Sequence, residues 1–365
     1  MTNTQLTNNQ PGSITNIPNI AIGHWTNRDA ITGCTVILCP SGAVAGVDVR
    51  GGAPGSREHA MLDPTCTVDQ VHAILLSGGS AFGLAAADGV MRWLEEYGYG
   101  FDVGVARVPI VPGAIIFDLG IGRADVRPQA QHGYDACVAA SVDAMETGSV
   151  GAGTGATVGK LLGFGQATKG GIGTASRKLN EAGADYGDGA VIAALVVVNA
   201  IGNVIDPQTN RIIAGVRNPD HKNDASTEVF LDATEIMQQR LASRSLPAES
   251  SALQNTTIGV VATNLPLDKA GATKVAQMAH DGLARVINPI HTSMDGDTIF
   301  AISTASPTEY KSISGASIGA VGAIAAEVVA DAVLHAITSA ESLGGVPTSR
   351  TLLGDYNKGK VNSEK

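Results

Sequence analysis

Between residues 189 and 198 the chain runs without a polar side chain, and from 256 to 263 it is dominated by β-branched residues. Apolar runs of this length and composition suit strands buried on both faces. Shorter runs at 20–24, 35–39, 44–49, 71–76, 115–119 and 298–304 predict further strands, and 103–111 looks extended. Apolar residues recur at helical spacing over 83–96 and 268–285, and helices are also expected at 134–145 and 234–242. The last helix, 314–340, is apolar almost all round. Glu327, Asp331 and His335 interrupt it, so it reads as a buried Ala/Gly helix rather than a membrane span. The Gly- and Thr-rich run 148–173 predicts loops and short strands, and 243–254 predicts an exposed loop. Residues 1–18 read as a polar tail, 19–353 as a single domain and 354–365 as a loose tail. Strands in runs with helices between them suggest two antiparallel-rich sheets with helices outside.

Composition narrows the class. A 44% hydrophobic content over 365 residues excludes a disordered chain. The balance of 24 Lys+Arg against 34 Asp+Glu leaves −10, which argues against nucleic acid or an anionic membrane as partner. There are 45 glycines and only 4% aromatics, without a Gly-X-Y period, which suits a tightly layered enzyme with close backbone approaches. Cys34, Cys39, Cys66 and Cys137 form no CxxC pair, and the N-terminus has no secretory signal, so a reduced, cytoplasmic protein is expected. The eight histidines show no HExxH pattern. Gly151 to Ala156 resembles a dinucleotide fingerprint but follows a predicted helix, not a strand. Gly159-Lys160 lacks the spacing of a phosphate loop. Neither metal nor organic cofactor is expected. Asp295-Gly296-Asp297, taken alone, is most simply a turn.

Several separated stretches carry a resemblance. They are Asn255-Thr256-Thr257-Ile258 and His291-Thr292-Ser293-Met294-Asp295-Gly296-Asp297-Thr298-Ile299-Phe300. Val49-Arg50-Gly51-Gly52-Ala53, Leu75 to Gly83, Ile115-Ile116-Phe117-Asp118, Gly151 to Lys160, Lys169 to Gly173 and Val196 to Asn199 extend it. Together they resemble the DmpA-like L-aminopeptidase/D-esterase family, most of all its nylon-oligomer hydrolase branch. The resemblance implies an α+β fold, a four-layer α-β-β-α sandwich like that of N-terminal-nucleophile hydrolases with different connectivity. It also implies a precursor that cuts its own Asn255–Thr256 bond into fragments 1–255 and 256–365, which stay associated, and a homotetramer of processed protomers.

The residues support that chemistry on their own terms. A Thr hydroxyl is a weak nucleophile and needs a base. Once Thr256 is a new N-terminus, its α-amine, with an ordinary pKa of about 7.7–8, can serve. By resemblance, Asp295 and Asp297 are the acidic pair that orients the amine, and Lys169 is the site lysine, with Lys160 as second candidate. Asn199 is the oxyanion-side asparagine. Ser80 and Phe117 belong to the substrate pocket. Phe117 stands where characterised members carry Tyr, so one hydrogen-bond donor is missing. The aminopeptidase branch places an acidic residue near 111–115, and this chain has none there. That favours extended linear amides such as 6-aminohexanoate oligomers. The alternatives are an aminopeptidase and esterase on short peptides or amino-acid amides, and an inactive structural or binding member.

Overall fold

The computed structural model describes residues 12–179, 189–221, 227–243, 255–305, 313 and 315–354. Nine strands form the main hydrogen-bonded sheet: β1 (Ala21–Asn27), β2 (Thr32–Val49), β3 (Ser56–Arg57), β4 (Gln70–Ser77), β5 (Gly113–Ile115), β6 (Gly171–Leu179), β7 (Ala190–Asn199), β8 (Thr256–Thr263) and β9 (Thr298–Ser303). Their order is β6-β7-β8-β9-β2-β4-β5-β3, with β1 paired to β2. The β8–β9 and β4–β5 pairs are parallel and the others antiparallel. Among the described residues the α-helices are α1 (Ala86–Glu96), α2 (Ala130–Val138), α3 (Ala233–Ala242), α4 (Lys269–Val286) and α5 (Ala316–Ser339).

Side-chain alternation turns this path into layers. On β7, Ile192, Ala194, Val196 and Val198 pack with α4 and α5. Val191, Ala193, Leu195 and Val197 point the other way, into a core shared with Ile37, Ile74, Leu76 and Ile116. On the opposite face of β2 and β4, Val36, Leu38, Ala73 and Leu75 meet Ala86, Val90 and Leu94 of α1 and Ala136 of α2. The result is the expected α-β-β-α sandwich, and it explains why β7 has no polar alternation: both its faces are covered. β2 serves both layers. Its first half pairs with β1 and β4, its second with β9, and the register shifts between Leu38 and Ala43. The strands expected at 35–39 and 44–49 are therefore one strand, bent at Pro40-Ser41-Gly42. α5 lies close on β6, because a Cβ on Gly173 would come within 2.3 Å of the Ala332 carbonyl oxygen. By length and hydropathy α5 passes as a candidate span, but half of it is buried in this packing.

Three expectations change. The helix expected at 134–145 runs instead from Ala130 to Val138. Gln129 and His132 cap it reciprocally just after Pro128, and Ser141 is drawn into a bridge with Ile22. Strand β6, missed beyond Gly173, forms by register with β7. The end of the supposed tail is core: Ile14 and Ile17 are fully buried, and the Ile14 amide donates to Thr174 Oγ1 at 2.8 Å. Residues 1–11, the loop from 244 to 254 and the C-terminal tail from 355 lie outside the described residues.

Candidate active site

Thr256 opens β8 and faces Asn199, the last residue of β7, across the ladder. Because β8 and β9 are parallel, the turn entering β9 lies beside the start of β8. Asn255 bridges Asp295, and the Gly296 amide donates to the Asn255 carbonyl at 3.0 Å. The Thr256 hydroxyl donates to the same carbonyl oxygen. The turn is fastened from behind by the segment after β2. The Arg50 amide donates to the Asp297 carbonyl at 3.0 Å and the Ala53 amide to the Asp295 carbonyl at 2.8 Å. Gly296 has no room for a side chain: a Cβ there would sit 2.7 Å from the Ala53 oxygen and 2.9 Å from Thr256 Oγ1.

The two carboxylates are fully buried but held differently. Asp297 Oδ1 accepts the Thr257 amide at 2.6 Å. Its Oδ2 accepts the His291 amide at 3.1 Å and meets His291 Nδ1 at 2.9 Å. Asp295 Oδ2 accepts the Thr292 amide at 2.9 Å and hydroxyl at 2.6 Å, while its Oδ1 is buried with no hydrogen-bond partner. Burial, and then the neighbouring Asp297, push the Asp295 pKa up to about 6, against the Thr292 hydrogen bonds and Lys160.

The lysines separate. Lys160 Nζ donates to the Thr157 carbonyl at 2.6 Å and to both the carbonyl and Oδ1 of Asn199 at 2.9 Å. Burial drives its pKa well below the ordinary lysine range, with Asp295 opposing. Lys169 Nζ donates to the carbonyls of Gly153, Ala156 and Gly170 at 2.9–3.1 Å. Burial lowers its pKa to about 7, and its charge partner is Asp118. Asp118, itself raised to about 6 by burial, accepts from Thr32 Oγ1 at 2.6 Å and the Gly79 amide at 2.7 Å. So Lys160 reaches Asn199, and Lys169 braces the Gly-rich loop behind it.

Asn199 Oδ1 also accepts the Thr157 amide at 3.0 Å, and its Nδ2 donates to the Phe117 carbonyl at 3.2 Å. Phe117 thus touches the site through its backbone, and its ring is half-buried. Ser80 lies next to that segment, its amide donating to the Ile116 carbonyl at 3.0 Å. Thr256, Asn255, Asp295, Asp297, Asn199 and Lys160 converge; Lys169 and Ser80 stand further back. His291 and Thr292 fell inside a quoted motif without a role. Their position just ahead of the acidic pair was the signal available.

The chain is similar to known proteins along nearly its whole length. Residues 12–351 match Peptidase family S58. An uncharacterized aminopeptidase of Mycobacterium tuberculosis is 44% identical over 358 residues, covering 93% of this chain and 97% of that protein. A 6-aminohexanoate-oligomer endohydrolase of Kocuria sp. is 32% identical over 326 residues, covering 87% and 84%. The L-aminopeptidase D-Ala-esterase/amidase of Ochrobactrum anthropi, described as a new variant among the N-terminal-nucleophile hydrolase fold, superposes with a TM-score of 0.66. It is 20% identical over 94% of each chain, and this likeness shows the fold.

Proposed function

Because the chain belongs to peptidase family S58 and is thereby a hydrolase of amide bonds, we propose that it matures by cutting its own Asn255–Thr256 bond and then uses Thr256 as nucleophile. One observation carries the reading. The Thr256 hydroxyl lies on the Asn255 carbonyl, whose oxygen also takes the Gly296 amide, and Asn255 bridges Asp295, whose buried Oδ1 has no hydrogen-bond partner. In the first event Thr256 Oγ attacks the Asn255 carbonyl carbon, and the hydroxyl proton passes to Asp295. The Gly296 amide stabilises the developing oxyanion. The C–N bond then breaks as the nitrogen takes a proton, and water hydrolyses the resulting ester. Asn255 is left as a carboxylate and Thr256 with a free amine.

In turnover that amine is the base for the Thr256 hydroxyl. Asp295 Oδ1 is the free acceptor that orients it, and Asp297 fixes the start of β8 through Thr257. Lys160, rather than Lys169, is the lysine assigned to the site, since it holds the Asn199 amide opposite Thr256. The acyl-Thr256 intermediate is released by water.

For substrate we favour linear amides of 6-aminohexanoate type, on the lack of any acidic residue in 111–115 to hold a free amine. The aminopeptidase reading is favoured instead by the name of the 44% identical relative. Offering one amide in N-acylated and free-amine forms separates them: strong preference for the free amine sinks the first. Denaturing electrophoresis with N-terminal sequencing tests the mechanism. Two fragments, the smaller beginning at Thr256, are expected, and Thr256→Ala stays whole and inactive. A wild-type chain left intact overturns the reading.

A further inference from the structure

Asp297 and Asp295 are both removed from solvent, and two adjacent buried carboxyl groups do not both ionise cheaply. Which one carries the charge is decided by the donors around each. Asp297 is met by two main-chain amides and the His291 ring. Asp295 has the two groups of Thr292 on one oxygen and none on the other. Building on the reading of the acidic pair given above, we propose that His291 is a positioning residue. Its ring holds Asp297 as the ionised member, so that a proton taken up by the pair resides on Asp295, at the oxygen that has no hydrogen-bond partner.

Two further observations converge. His291 has a φ of +58°, a left-handed backbone that glycine adopts freely and a side chain resists. A ring that gives Asp297 a hydrogen bond from the same residue whose amide already binds it is the return on that strain. Nδ1 lies 2.9 Å from Asp297 Oδ2, so a proton on it would be donated to the carboxylate, while Nε2 is buried without a hydrogen-bond partner. Other titratable groups face it. From α4, His280 packs edge-on with ring centroids 4.7 Å apart. His280 Nε2 donates to the Asp48 carbonyl at 3.0 Å, and burial lowers its pKa to about 4. Behind it stand Asp48 of β2 and Arg50 just after it, and the charge of Lys160 acts on Asp295.

The test uses the full chain and three variants. Nitrogen-edited NMR of the wild type should find His291 neutral with its proton on Nδ1. His291→Ala and His291→Gly each remove the ring, and the second also relieves the backbone. Both should raise the acid-side midpoint of kcat/KM, measured on whichever of the N-acylated and free-amine amides the wild type cleaves, by about half a pH unit or more, since a carboxylate that loses a donor protonates more easily. His291→Asn tolerates the left-handed backbone and offers Nδ2 where Nδ1 stood, so it should return the midpoint to the wild-type value. A wild-type proton on Nε2, an unshifted midpoint in the Ala and Gly variants, or an Asn variant displaced like Ala each overturns the proposal. If wild-type chain proves uncut before Thr256, that defeats the functional reading. The tautomer of His291 and the titration of Asp297, both read by NMR, still decide this one.

Discussion

The amide of Gly296 donates to the carbonyl of Asn255 across 3.0 Å, linking the turn between the two buried carboxylates to the bond proposed for cleavage. That amide sits where a developing oxyanion would need it, and the absence of a side chain at 296 leaves Thr256 Oγ1 its place.

Gly296→Ala therefore crowds the attacking oxygen and the Ala53 carbonyl together. Appearance of the fragment beginning at Thr256 should slow by about tenfold or more, measured as a time course on denaturing gels. Processing at the wild-type rate would show that the turn gives way freely and that its close fit is irrelevant.

The two lysines should part company. Lys160→Met strips the contact from Asn199 opposite Thr256 and should lower kcat/KM by about a hundredfold. Lys169→Met orphans the carbonyls of Gly153, Ala156 and Gly170. Its main effect should be on stability, on the order of 3 kcal/mol, read from urea unfolding. A larger loss of activity in the Lys169 variant than in the Lys160 variant would return the role to Lys169.

Burial of Asp295 has a signature in stability. Its folded pKa is raised from 3.8 to about 6, so the folded state binds the proton more tightly than the unfolded chain. The associated stability is complete below about pH 4 and is lost as pH rises to about 6. In the uncut Thr256→Ala background, Asp295→Asn keeps the Thr292 contacts but cannot ionise. The Tm of the double variant relative to Thr256→Ala alone should thus climb across pH 4 to 6 and stay higher at pH 7.5. A difference that falls across that window, or is flat, contradicts the assignment.

Gly173→Ala probes the sheet–helix contact alone. The new Cβ would meet the Ala332 oxygen and Ala336 nitrogen at 2.3 Å, so α5 must lift from β6. A loss of about 1–3 kcal/mol is expected in urea unfolding, with cleavage before Thr256 unaltered at 25 °C.

The sequence was legible where one local rule decides the outcome. β7 and β8 stand out because both faces are covered, which forbids polar alternation. The Asp295-Gly296-Asp297 turn stands out because two acidic residues flank a glycine just ahead of an apolar strand. What escaped depends on partners far along the chain. β6 ends in half-exposed and exposed residues at Ser176, Arg177 and Lys178 and is a strand because β7 offers it an edge. β2 continues, with a bend, through Pro40-Ser41-Gly42, which separates two apolar runs in the sequence. The choice between Lys160 and Lys169 rests on the path of the loop between them, because each ends up tied to three acceptors. The tie from His291 to Asp297 is a hydrogen bond across a turn, and no spacing rule encodes it.

The strands that follow the proposed cut occupy the middle of the sheet. β8 is registered to β7 over residues 192–199 and β9 to β2 over residues 44–49, so the pair is clasped on both flanks. A chain severed before Thr256 would become two polypeptides sharing one interior, with neither piece able to leave without opening two ladders at once. Such a product should survive dilution and gel filtration as a single particle and melt in a single transition. Its subunits would part only under denaturant, and once parted they would have to find each other again by diffusion. Refolding of the cut form would then depend on protein concentration, while refolding of the uncut chain would not.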